Sequence, residues 1–196
     1  MEDLERFRKQ LDIRTGGRNR AIGAGLLGLI WTVAPLFAAA PPLQELGRLP
    51  IIAFPLGVLV ALGIWARIVR EQLRESSITR RLMLAASVAM SGQFALELAG
   101  ISLGIDSVII EAMWPLLWFC VSAMLVVAVD VRLLPMTLGF LGALAAAVTW
   151  PDLRFYAMCA SNVVMSINMF SIWMPWRSDK SANATPEKPS RNGMDP

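Results

Sequence analysis

The stretch PIIAFPLGVLVALGIWARI, residues Pro50–Ile68, decides the fold class, because Arg67 is its single charged residue. As an α-helix rising 1.5 Å per residue it would be about 28 Å long. The hydrocarbon core of a bilayer is roughly 30 Å thick, so a run of this length and composition is typical of a membrane-spanning helix.

The rest of the chain repeats this pattern. Of the 196 residues 56% are hydrophobic and only 17% are charged, with a mean hydropathy of +0.55, whereas soluble domains carry about 25% charged residues. The sequence therefore predicts an all-α, polytopic integral membrane protein with six transmembrane helices. The shortest segment is the fifth, whose ends are the least defined. In order, the predicted spans are Ala21–Ala40, Pro50–Ile68, Leu82–Gly104, Val108–Val129, Leu133–Val148 and Leu153–Met174.

Positive charges alternate strongly between the two sides of these six spans. Sixteen of the 18 Lys and Arg residues fall before the first span, in every second loop and in the tail. The positive-inside rule then places both the N-terminus and the C-terminus in the cytoplasm. The arginine-rich loop after the second span should attract anionic lipid at that face. Because the basic residues flank spans, we read them as topology signals and predict no nucleic-acid partner.

The chain divides into a membrane domain and two terminal segments. The N-terminal segment places Leu4, Phe7 and Leu11 on one helical face, which suits a membrane surface or a partner, although a solvated arm is equally compatible. The polar C-terminal tail is predicted to be disordered. The predicted division is 1–20 amphipathic segment, 21–176 membrane domain and 177–196 tail.

The first apolar run also resembles a signal peptide that ends in the small residues Ala38, Ala39 and Ala40. Pro41 follows at once and should hinder cleavage there. We therefore interpret the run as a retained span. Short outer loops and overall compactness favour a bacterial inner membrane.

The stretch SGQFALELAG, residues Ser91–Gly100, places a carboxyl group inside the third span. Glu97 should lie about 10 Å from the outer end of its helix, with Gln93 one turn away on the same face. An ionisable residue at that depth is a functional candidate. The alternative is a neutral Glu97 that is hydrogen-bonded to a neighbouring helix and holds the two helices together.

The fourth span offers a second group of candidates. Glu111, Trp114 and Trp118 share one helical face, and the ring of Pro115 is incompatible with the carbonyl of Glu111 in a regular helix. A carboxylate with two indole rings suits an organic cation. The alternative places Glu111 at the interface in contact with water, with the tryptophans facing lipid or the core.

Polar residues of the sixth span, Asn162 and Asn168 among them, complete the candidate ligand-binding set. Amides and hydroxyls at this density more often hold helices together than bind a ligand. By depth, Asn162 could reach Glu97. Small residues four apart indicate close approach of helices. The pairs are Ala21 with Gly25, Ala24 with Gly28, Gly139 with Ala143 and Gly142 with Ala146.

Several chemistries lack the residues they need. The chain has no histidine, which removes the commonest metal ligand and a Ser–His–Asp triad. Its two cysteines, Cys120 and Cys159, lack metal-site spacing. We predict no enzyme, no metal and no cofactor.

The favoured function is a non-enzymatic sensory, anchoring or accessory membrane module that works with a membrane protein partner. The alternative is a small transporter or channel subunit, acting as a homo-oligomer, in which Glu97 binds protons or cations.

Overall fold

A computed structural model describes residues 17–40 and 49–173, and within these ranges the chain is all-helical with no β-strand. The tail at 177–196 and all but the last four residues of the segment at 1–20 lie outside the described residues. Turns of 3-10 helix, Val131–Leu133 and Pro151–Leu153, precede the last two helices. The helices are α1 Gly17–Ala38, α2 Leu49–Ile68, α3 Arg70–Glu75, α4 Ser77–Ser102, α5 Ser107–Ala112, α6 Trp114–Ala128, α7 Leu134–Thr149 and α8 Arg154–Trp173.

Five helical segments of the described ranges are long and apolar enough to cross a membrane. They are Leu49–Ile68, Ser77–Ser102, Ser107–Ala128, Val131–Thr149 and Pro151–Trp173. The apolar part of α1, Gly28–Ala38, is shorter. The prediction of an all-α chain of apolar helices is thus confirmed, and each of these five segments overlaps a span predicted from the sequence.

The predicted fourth span differs from the structure in one respect, because it is broken at Met113. α5 ends at Ala112, and α6 begins at Trp114 with Pro115 in its first turn. Proline lacks an N–H and its ring collides with the carbonyl four residues back, so the helix restarts at a position where neither matters.

α4 ends at a turn that depends on Gly104, whose φ of 64° lies in the left-handed region. There Ile105 N–H donates to the carbonyl of Gly100 at 2.9 Å, which closes the helix end. The side chain of Asp106 then accepts from Val108 N–H at 2.9 Å and starts α5. A short turn therefore returns the chain antiparallel to α4.

The long helices alternate in direction around α8, which packs most extensively against α1 and α7. At one end, called here the upper end, Arg154 at the start of α8 meets Glu111 of α5. At the other, the lower end, the guanidinium of Arg81 donates to the carbonyl of Ala128 at the end of α6. In α1, Gly28 lies beside Ser166 of α8, and Trp31, further along α1, contacts Asn162, which comes earlier in α8. The two helices are therefore antiparallel. Consequently α1 begins and α8 ends at the lower end.

The outward surface of the bundle is apolar rather than polar. Large aliphatic side chains such as Val60, Ile64, Val127 and Ile167 are more than half exposed on three different helices. A soluble monomer rarely exposes apolar surface so continuously. This surface matches the hydrocarbon interior of a bilayer.

The close helix approach predicted for small residues is confirmed at Gly28 and Gly139. A Cβ added to Gly28 would collide with the Ser166 side chain, and one added to Gly139 would lie 3.3 Å from Val164 Cγ1. Both neighbours belong to α8, so the two glycines bring α1 and α7 against the same helix. Gly25 and Gly142 meet nothing within 4 Å and do not contribute.

We expect Gly28→Ala to lower the free energy of unfolding by about 1–3 kcal/mol, the usual cost of overpacking. Ser166→Gly in the same chain should recover most of that loss, because it removes the atoms that the new methyl group would strike. Gly25→Ala, one turn earlier in open space, is the matched control and should be near neutral. Unfolding in mixed micelles measures all three, and a Gly28→Ala effect that Ser166→Gly does not relieve would contradict the contact.

At the lower end, Asp130 fixes the turn between α6 and α7. Its carboxylate accepts from the backbone N–H of Arg132 at 2.9 Å and forms an ion pair with that guanidinium at 2.7 Å. The hydrogen bonds from Arg132 hold the pKa of Asp130 below its ordinary value. The α6–α7 corner is thus held by an exposed ion pair, in contrast to the buried pair at the upper end.

Candidate functional site

Glu97 lies in the interior of the bundle and links two helices. Its side chain is 1% exposed, and its Oε1 accepts a hydrogen bond from Trp114 Nε1 at 2.9 Å. This contact joins α4 to α6. An indole N–H can donate equally to a carboxylate or to a protonated carboxyl group, so the contact suits either form.

Glu111 is 4% exposed and forms an ion pair with Arg154, whose Nε lies 2.6 Å from Glu111 Oε2. The same guanidinium donates to the carbonyl of Pro151 at 2.9 Å and lies 4.4 Å from the ring centroid of Phe155. The cation beside Glu111 is therefore supplied by the protein, on α8. The Glu111 side chain is thus shielded from solvent by the protein, and its carboxylate is already neutralised by this arginine.

The two predicted tryptophans both face the core but make different contacts. Trp114 lies 6.2 Å from Phe155 between ring centroids and contacts the Glu97 carboxyl group. Trp118 lies between Trp31 of α1, edge to face at 5.3 Å, and Phe140 of α7, stacked at 5.8 Å. The shared helical face was a correct indication of burial, yet the two rings belong to neighbouring clusters rather than to one aromatic cage.

The amides of Gln93 and Asn162 line the same cavity at the upper end, together with Trp114 and Trp118. Asn162 Nδ2 donates to the backbone carbonyl of Trp31 at 2.6 Å, which ties α8 to α1. Gln93 is 4% exposed. The structure thus brings Gln93, Asn162 and the two tryptophans together around one space, which the Glu97 side chain does not line.

Asn168 lies apart from this group, towards the lower end. Its Nδ2 donates to the carbonyl of Arg132 at 3.0 Å, which fastens α8 to the turn before α7. Its Oδ1 is buried without a hydrogen-bond partner among the described residues. The position of Asn168 fits helix fixation better than membership of the upper site.

Two contributors were missed when the sequence was read alone: Arg154 and Trp31. Arg154 was counted only as a topology charge, although an arginine in the first turn of the sixth span and a glutamate in the first turn of the fourth lie at the same depth. Equal depth and opposite charge were the signal that could have paired it with Glu111. For Trp31 the sequence holds no comparable signal, because its neighbours depend on which helices are adjacent.

Within residues 17–40 and 49–173, no three His, Cys, Asp or Glu side chains lie close enough together to hold a metal ion. Among the described residues, the buried acids of the upper half are Glu97 and Glu111, and both contact donors of the protein. Chemically, this arrangement can hold helices together and can surround an uncharged guest.

Fold and site together define an all-helical membrane protein with a polar, internally bonded upper half. Comparison with models of protein families, with curated proteins and with solved structures found no match.

Proposed function

We propose that the chain is a non-enzymatic membrane module that acts as a sensor for a membrane protein partner, anchors that partner or assists it. The observation that carries this proposal is the engagement of its buried acids, Glu97 by Trp114 and Glu111 by Arg154. A coupling carboxylate or a catalytic acid must exchange protons or ligand, whereas these contacts hold four helices in register.

The proposal includes six spans, cytoplasmic termini and a bacterial inner membrane. Five of these spans are the long apolar segments described above. The extensive packing of α1 on α8 supports α1 as a further span, the first in chain order. Support for the orientation comes from charge: Arg67, Arg70, Arg74, Arg80 and Arg81 all lie at or beyond the lower end, as does Arg132. Cytoplasmic leaflets are anionic, so that end should face the cytoplasm and bind anionic lipid.

The test is capture of crosslinked partners from native membranes with three forms of the protein: wild type, Glu97→Gln and a variant that lacks residues 2–16. We expect a stoichiometric partner with wild type and with Glu97→Gln, because a glutamine oxygen can accept the same hydrogen bond. If the N-terminal segment recruits the partner, the deletion should lose it while insertion in the membrane persists. Recovery of the protein alone, as an oligomer, would contradict the proposal.

The alternative is a small oligomeric transporter or channel subunit with Glu97 as its coupling carboxylate. What favours it is the closeness of Glu97 to the upper cavity through Trp114, which contacts both. Proton flux into vesicles that hold the purified protein separates the two functions. Flux above empty vesicles that Glu97→Gln abolishes would establish the transporter, and absence of flux in wild type would remove it.

A further inference from the structure

Two half-open cavities lie one above the other between the helices of the bundle, and a tryptophan pair borders both. The upper cavity has a volume of about 390 Å³ and the lower one of about 120 Å³. Trp31 and Trp118 line both of them. The two rings, in edge-to-face contact at 5.3 Å, thus border both parts of one column.

The column extends along much of the bundle. On α8, Met158 lines the upper cavity and Trp173 lines the lower one. At 1.5 Å per residue these positions are about 22 Å apart along the helix. A molecule that fills both cavities is therefore long and narrow.

No charged side chain lines either cavity among the described residues. The walls are mainly aliphatic, aromatic and methionine side chains, with the amides of Gln93 and Asn162 in the upper part and the hydroxyls of Thr79 and Ser122 in the lower part. An ion would lose its hydration there without gaining a counter-charge. The occupant that fits these walls is an uncharged, mainly apolar molecule.

The Trp31–Trp118 pair carries two hydrogen-bond donors that lack an acceptor among the described residues. Trp31 and Trp118 are 7% and 6% exposed, and the Nε1 atom of each is buried without a hydrogen-bond partner among the described residues. Buried indole N–H groups normally find a partner, and leaving one unpaired costs free energy. An oxygen acceptor that reaches this level of the column would remove that cost.

We propose that the column binds a fatty acyl ester, with its chain along the cavities and its ester carbonyl at the Trp31–Trp118 pair. The chain matches the narrow apolar walls, and the carbonyl is an uncharged acceptor for the indole N–H groups. Bilayer phospholipid and a free neutral ester both have this chemistry. The site is independent of whether the module senses, anchors or assists, and its failure would leave the proposed function standing.

The test uses the full-length protein in vesicles of unbrominated phosphatidylcholine and a fatty-acid methyl ester brominated midway along its chain. Bromine quenches nearby indole fluorescence, and several tryptophans line the column. We expect saturable quenching by the ester. The brominated alkane of equal length, which lacks the carbonyl, should bind roughly three- to tenfold more weakly, the usual worth of one hydrogen bond.

Variants localise the site. Trp31→Phe and Trp118→Phe each remove an N–H and should weaken ester binding by a similar factor, whereas Trp150→Phe, at an exposed position, should not change the affinity. Ala34→Leu places a larger side chain in the wall of the upper cavity and should abolish saturable quenching. Ala145→Leu, on an exposed face of α7, is its matched control and should bind as wild type does.

A second arm identifies the source of the ester. Vesicles of phosphatidylcholine brominated on its acyl chain, without added ester, should quench the column tryptophans if bilayer lipid enters, and Ala34→Leu should relieve that quenching. Saturable quenching in the first arm alone assigns the site to a free ester, and relief by Ala34→Leu in the second assigns it to phospholipid. Quenching that is non-saturable, equal for ester and alkane and unchanged by Ala34→Leu overturns the proposal. If a tryptophan variant fails to fold, the comparison of Ala34→Leu with wild type still tests whether the ester binds in the upper cavity.

Discussion

Arg154→Met is expected to lower the free energy of unfolding by about 3–5 kcal/mol, because it leaves the Glu111 carboxylate buried without its counter-charge. The pair lies 2.6 Å apart with Glu111 only 4% exposed, so neither solvent nor salt screens it well. Reversible unfolding in mixed micelles, followed by circular dichroism, measures the loss.

The double variant Glu111→Leu with Arg154→Met is the critical comparison. Replacing both members of a buried ion pair by apolar side chains is often close to neutral, so we expect the double variant to recover to within about 1 kcal/mol of wild type. Arg132→Met is the matched control, because its ion pair with Asp130 is exposed and should contribute less than about 1 kcal/mol. A double variant as unstable as Arg154→Met would show that Arg154 stabilises the bundle mainly through Pro151 and Phe155.

Glu97→Ala should cost about 2–4 kcal/mol, since it leaves a cavity in the core and leaves the Trp114 N–H without its acceptor. The same unfolding assay applies. Trp114→Phe, which removes only the donor and part of the ring, should cost about 1–3 kcal/mol.

Glu97→Gln separates the structural role from an electrostatic one. Glutamine has nearly the same shape and offers an oxygen to Trp114, so a role in holding α4 to α6 predicts a change of less than about 1 kcal/mol. A Gln variant as unstable as the Ala variant would show that the fold needs the ionisable carboxyl group itself. The transporter alternative would then gain weight.

The apolar runs were decisive for the fold because their signal is local. A stretch such as Pro50–Ile68 is long enough to cross a bilayer and almost free of charge, and these two properties alone require a helix. Pro115 and Gly104 explain two local details of the structure, the break at Met113 and the turn after α4, but the fourth span was predicted from the sequence as unbroken. Small-residue spacing indicated the close approach at Gly28 and Gly139.

Burial of Glu97 also followed from the sequence, while the burial of Glu111 and the partners of the polar candidates did not. A carboxyl group in an apolar run must turn inward, so Glu97 was correctly placed in the interior. Its contact with Trp114, the pairing of Glu111 with Arg154 and the contact of Asn162 with the Trp31 carbonyl all join different helices. Depth along each helix can be counted, but rotation about its axis and choice of neighbour are fixed by packing.

The sequence by itself thus determined that the chain is a helical membrane protein and at what level along its helix each polar group lies. Hydropathy and helical rise are properties of single segments, so neither depends on how the helices pack. Tertiary structure alone decided that the acids are satisfied from within, that Asn168 stands apart, and that Trp31 meets Trp118 between two uncharged cavities. These features arise from helices packing side by side, where residues distant in the chain become neighbours through the fit of their surfaces.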